Sequence, residues 1–131
     1  MKLKDVLLAA CMRVARGENH FCCHAVAEIA LGRKPFIGEI YSVPAVLRFL
    51  QLAVEVDAVG PSPYPDTVSS NLMLTFKDRA LQACGPLSSK EQREAYERDE
   101  RCALLLKIAA LPILVEEEME EGELKISVAG V

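Results

Sequence analysis

His20, His24 and Glu28 succeed one another at intervals of four, which on a helix places them on one face, a turn apart. Two imidazoles and a carboxylate are a ligand set for zinc or another divalent ion, and Cys23 lies close enough to join them. Cys22 and Cys23 also suggest a nucleophile, since a thiol near a helix N-terminus and beside a histidine has its pKa lowered. Both patterns are incomplete. The glutamate that directly follows the first histidine of a zinc-protease helix is replaced by Phe21, and no third group is at hand to orient a Cys–His pair. Gly32 and Gly38 make neither a Walker nor a dinucleotide loop. No catalytic residue and no cofactor are therefore assigned. A metal-dependent or cysteine-based enzyme using His20, His24, Glu28 and Cys23 is the alternative to a non-enzymatic chain.

Two other stretches carry side chains suited to contact with a partner. In residues 32–42 the basic pair Arg33 and Lys34 stands beside Phe36 and Tyr41, a combination able to grip an anion or a base, although aromatics in a loop more commonly pin it to the core. Near the C-terminus, Glu116, Glu117, Glu118, Glu120, Glu121 and Glu123 concentrate acidity just before Leu124-Lys125-Ile126-Ser127-Val128, whose alternation reads as a strand. Acidic residues steer association with a basic partner, and a free strand edge with Leu124 and Ile126 on one face invites pairing with a second chain. Such a strand pairs with residues 113–117 as a hairpin, with another molecule, or not at all.

The rest of the composition narrows the class. With 131 residues, 51% of them hydrophobic, the chain can build one real core, and one domain spanning 1–131 is expected, with 112–131 as an acidic appendage. Few aromatics and no Trp leave Leu, Val, Ile and Ala to fill that core, which suits helices. The net charge of -4 comes from the acidic stretch, and elsewhere acids and bases alternate without a basic face, so nucleic acid is an unsuitable partner. Five cysteines, two of them adjacent and none in a Cys-x-x-Cys pair, indicate neither a disulfide framework nor a zinc ribbon and fit a reducing cytoplasm. Leu8-Ala9-Ala10-Cys11 has the form of a lipoprotein cleavage box. Its apolar segment is shorter than the roughly 7 to 15 residues a signal peptide needs, so export is not expected.

Helices must position these residues. The spacing of Leu3, Leu7, Ala10 and Val14 predicts a first helix over 3–16 closed by Gly17, and Asn19 then caps a second to Leu31, ended by Gly32. Residues 43–59 are the apolar centre. Only Arg48, Gln51 and Glu55 interrupt them, on one narrow stripe, so the helix they predict is surrounded and not membrane-spanning. Ser42 is its expected cap and Gly60-Pro61 its stop. The alternating prolines 61, 63 and 65 read as an extended crossover to a fourth helix over 69–84. Overlapping capping boxes at Ser88 and Ser89 open the longest helix, which reaches Ala110 with an exposed first half, and Pro112 restarts a short acidic helix to Glu121.

The Leu7-Leu8-Ala9-Ala10 run, a glycine-containing turn and then Phe21-Cys22-Cys23-His24-Ala25 resemble small uncharacterised helical proteins of phages and bacteria, over about the first quarter of the chain. The resemblance carries no known activity and implies a small accessory protein rather than a housekeeping enzyme. The reading is a mainly all-α domain of five or six helices around a buried central helix. Its expected role is a non-enzymatic protein-interaction module, such as a phage-type accessory factor or an inhibitor of a host complex. A protein partner or self-association through the C-terminal strand goes with it, and membrane association does not.

Overall fold

Leucines, valines and alanines at helical spacing dominate the described chain, and five α-helices follow from them: α1 (Leu3–Ala15), α2 (Cys22–Leu31), α3 (Pro44–Glu55), α4 (Pro65–Cys84) and α5 (Lys90–Ala109). Two short 3₁₀ turns, Ile40–Ser42 and Pro112–Val115, complete the order. The structure, a computed structural model, describes residues 1–115 and 117–119. Among the described residues there is no sheet, only one isolated antiparallel bridge between Lys2 and Glu118. None of the described helices is long and apolar enough to cross a membrane.

The stripe Leu3, Leu7, Ala10 and Val14 is fully buried with Val6 and packs α1 against both α5 and α2. Gly17 ends this helix as expected. Its φ of 77° lets the Gly17 N–H donate to the Val14 carbonyl and the Glu18 N–H to that of Arg13, the paired bonds of a Schellman motif. α4 lies against α5, sharing Leu72, Phe76 and Ala80 as its buried face. Leu81, next in sequence to Ala80, is exposed.

α3 is shorter and less enclosed than its composition predicts. It touches α2, α4 and α5 through Ala45, Val46, Phe49, Leu50, Leu52 and Ala53, while Leu47 and Val54 remain half-buried. Val43, not Ser42, is the N-cap, and Pro44 supplies the fixed φ of the first turn. The helix stops at Glu55 because Asp57 takes the left-handed conformation, φ 59°. The Asp57 N–H then donates to Val54 and the Ala58 N–H to Ala53, a Schellman ending without glycine. Gly60-Pro61 lies beyond that ending.

Other boundaries also move. α4 begins at Pro65, four residues before the expected start, since the last proline of the crossover serves as its first helical residue. At α5 the second of the two overlapping boxes forms: the Ser89 hydroxyl accepts from the Gln92 N–H and the Gln92 side chain accepts from the Ser89 N–H. The expected α-helix after Pro112 does not continue. Leu114 is buried, and further on the Leu3 N–H donates to the Glu117 carbonyl and the Met119 N–H to that of Met1. Residues 112–115 and 117–119 thus fold back on α1, and residues 113–115 lie in a 3₁₀ turn rather than in a hairpin strand. The strand expected at 124–128 lies outside the described residues.

Candidate functional site

The histidine face is the first to be tested by geometry. α2 starts at Cys22 with Phe21 as its N-cap, so His20 sits in the preceding turn and only His24 and Glu28 share the helix. Asn19 does not cap the helix. Its amide donates to the Glu28 carboxylate at 2.9 Å, and Arg13 of α1 reaches the other oxygen of that carboxylate at 3.3 Å. Glu28 is thereby committed to holding the α1–α2 turn, and His24 stacks edge-on with Phe21, 5.6 Å between ring centroids. Among the described residues, no three His, Cys, Asp or Glu side chains gather as a metal-holding group, so His20, His24 and Glu28 are not brought together.

The thiols reverse the expectation of a lowered pKa. Cys22 and Cys23 are buried at the start of α2, and there desolvation outweighs the helix N-terminus. Burial, and then the neighbouring Cys23, push the Cys22 thiol strongly up; burial pushes Cys23 up to about 12, slightly offset by Ser69. Cys23 Sγ and Ser69 Oγ are 4.0 Å apart, a weak polar contact for a neutral thiol. A protonated, enclosed thiol packs well and attacks poorly.

Residues 32–42 assemble a different kind of site. The Glu39 carboxylate receives both Arg33 guanidinium nitrogens, at 2.8 and 2.6 Å, and the Phe36 N–H at 2.8 Å. The Glu39 N–H donates back to the Phe36 carbonyl, and Gly38 at φ 84° supplies the positive φ that the third position of a type II turn requires. The Arg33 hydrogen bonds, with that of Phe36, hold the Glu39 carboxyl down at about 2. At the base of the loop the Ser42 hydroxyl donates to the Glu39 carbonyl at 2.6 Å.

The two aromatics of this loop part company. Tyr41 packs against the core, as pinning predicts, whereas Phe36 is 71% exposed under the Arg33 guanidinium, 5.0 Å from its ring centroid. Beside it Ile37 is fully exposed and Lys34 projects into solvent. Compared with protein-family models, curated proteins and solved structures, the chain matches none. The site must speak through its own chemistry.

The acidic stretch contributes less to a free surface than its charge suggests. Glu117 accepts from Arg48 Nε at 2.7 Å and Nη2 at 3.3 Å, and Glu118 joins the bridge to Lys2. Arg48 also reaches Gln51 at 3.4 Å, so part of the polar stripe of α3 anchors the returning chain. Glu116, Glu120, Glu121, Leu124 and Ile126 lie outside the described residues. On the adjoining side of α3, Leu47, Leu50 and Val54 face Pro63 and Val68 across a largely apolar groove of about 240 Å³, with Gln51 at its edge.

The burial of one residue was missed. Arg101 reads as the exposed partner of Glu97 at a spacing of four, and the pair forms at 3.7 Å, but Arg101 is 9% exposed, with the Phe21 and Phe76 rings each 5.5 Å from its guanidinium. One turn earlier, Glu94 meets Lys90 at 3.7 Å.

Proposed function

We propose that the chain is a non-enzymatic protein-interaction module that docks through the turn carrying Phe36 and Ile37, in keeping with an accessory factor or an inhibitor of a larger complex. The observation that carries this reading is the exposure of two large apolar side chains on a turn fixed by the Glu39–Arg33 pair. An exposed Phe–Ile pair gives nothing back to folding, while adjacent exposed apolar groups favour contact with another protein. Fixing them in advance lowers the ordering cost of binding, the usual difference between a weak contact and an anchor.

The partner this turn fits presents an apolar pocket for Phe36 and Ile37 and an acidic rim for Lys34. Arg33, already neutralised by Glu39, stiffens the ring from above and adds little charge to the contact. In support of a non-enzymatic reading, Cys22 and Cys23 are buried with their thiol pKa values raised, and Glu28 is held by Arg13 and Asn19.

The test is affinity capture with the immobilised chain, comparing it with Phe36→Ser and Ile37→Ser variants, followed by measurement of Kd for the captured protein. Each substitution weakens binding by about tenfold or more, the effect of truncating an anchor, with the melting temperature unchanged. Equal binding by all three proteins refutes the turn as the contact surface.

A further inference from the structure

Arg101 is a buried cation whose needs the protein only half meets. Its guanidinium carbon lies over the Phe21 and Phe76 rings at 5.5 Å from each centroid, and the nearest carboxylate oxygen, on Glu97, is 3.7 Å away, too far for a hydrogen bond. No side-chain hydrogen bond from Arg101 is present among the described residues, and none of their buried side-chain nitrogens or oxygens lacks a partner. The unpaired N–H groups of Arg101 must therefore open onto water. Arg101 lines a cleft of about 270 Å³ between the α1–α2 turn and the α4–α5 pair, and also a far smaller space of about 20 Å³ beside Cys22 and Cys23 that is too small for any organic ligand.

Lys77 and Arg98 line the same cleft, and among the described residues neither has a carboxylate within 4 Å. Against these three cations stand Glu94 and Glu97, so the walls carry a formal charge of +1 with His20 neutral, in a chain whose net charge is -4. Phe21 and Met73 supply an apolar wall.

We infer that this cleft is a binding site for a small organic monocarboxylate, whose oxygens take the free edge of Arg101 while its apolar body lies against Phe21 and Met73. A planar guanidinium matches a carboxylate in a two-point fork, and one negative charge balances the walls. Glu97 beside the fork opposes a second negative charge, which selects against phosphate dianion. The volume, just under the roughly 300 Å³ at which drug-sized pockets begin, suits an acid of benzoate size. The site is separate from the Phe36–Ile37 turn and stands or falls independently of it.

The experiment titrates the full chain with benzoate and with inorganic phosphate, following the Phe21 and His20 ring proton resonances by NMR and the melting temperature in parallel. Benzoate shifts both rings along a single-site isotherm and raises the melting temperature with its concentration, whereas phosphate at the same ionic strength does neither. Arg101→Lys keeps the charge, loses the fork and weakens benzoate by about tenfold or more. Because that change also disturbs packing, Lys77→Gln and Arg98→Gln, both on exposed positions, serve as the second readout and each weaken benzoate severalfold. Phe36→Ser leaves the titration unchanged. Absence of a benzoate shift at Phe21, an equal response to phosphate, or unchanged affinity in both glutamine variants overturns the assignment.

Discussion

Alkaline titration separates a buried structural thiol pair from a nucleophile. Cys23 is held at about 12 and Cys102 at about 11 against an ordinary value of 9.0, and Cys22 is raised further still, in each case chiefly by burial. For a group whose folded pKa is raised, the stabilisation is complete below the unfolded value and is lost as pH climbs toward the folded one. The window therefore opens at pH 9. By pH 10 the unfolded thiols are mostly ionised and the buried ones are not, which costs on the order of 1 kcal/mol per buried thiol. Cys22 and Cys23 together remove on the order of 2–3 kcal/mol, a large fraction of the 5–15 kcal/mol typical of such a domain, and half-buried Cys102 adds less because solvent screens it. Urea unfolding at pH 8 and pH 10 reads this loss. Tyrosines and lysines titrate nearby, so the decisive comparison is with a Cys22→Ala, Cys23→Ala variant, which should be spared about 2–3 kcal/mol of the fall between the two pH values. In the native state at pH 7, a thiol reagent should modify half-buried Cys84 first and reach Cys22 and Cys23 only on global unfolding. An identical pH dependence in parent and variant, or fast native labelling of either cysteine, would refute the buried-neutral account and reopen thiol catalysis.

Phe49→Ala empties the largest fully buried site and should cost about 3–5 kcal/mol, visible as a melting temperature lower by roughly 10–20 °C. Ser89→Ala removes the capping box of α5 and should cost about 1 kcal/mol in a denaturant titration without altering helix content. Because Glu39 is held at about 2, the order of the Phe36 turn persists above the ordinary carboxylate value of 4.5 and decays as pH falls from there toward 2; hydrogen exchange at the Phe36 amide checks this, and Glu39→Gln should raise that exchange rate at neutral pH. Removing residues 124–131 should leave capture through the Phe36 turn unchanged, so loss of binding in that variant would move the contact surface to the C-terminus.

What the sequence showed plainly was whatever depends on neighbours within one or two turns. The α1 stripe, Gly17 as its stop and the capping box of α5 are all patterns of this kind, and each forms. Endings without their customary residue were hidden: Asp57 does at α3 what glycine usually does, and Phe21 occupies the N-cap that Asn19 could have filled. Contacts between distant segments leave no local trace at all. The return of residues 117–119 to the first residues of α1 depends on backbone pairing and on Arg48, and neither its extended shape nor its partner follows from a run of glutamates. Arg101 is hidden for the same reason, since only the arrival of Phe21 and Phe76 from two other elements encloses it.

The loop between α2 and α3 shows why composition alone could not locate the proposed contact surface. Tyr41 and Phe36 are both aromatics in one loop, and propensity treats them alike. Tyr41 lies in a 3₁₀ turn that feeds directly into α3, so its direction is fixed by a helix that must bury Phe49 and Ala45, and it goes inward. Phe36 lies on the far side of Glu39, whose carboxylate gathers Arg33 and the Phe36 amide into one tight turn. That turn turns the Phe36 ring back under Arg33 and leaves Ile37 at the tip, so the same hydrogen bonds that order the loop also keep its apolar side chains out of the core. A loop held only for stability would gain more by folding Ile37 inward, at about 25 cal/mol for each Å² removed from water. The exposure persists because the turn around Glu39 excludes that option, and among the described residues it leaves Phe36 and Ile37 uncovered.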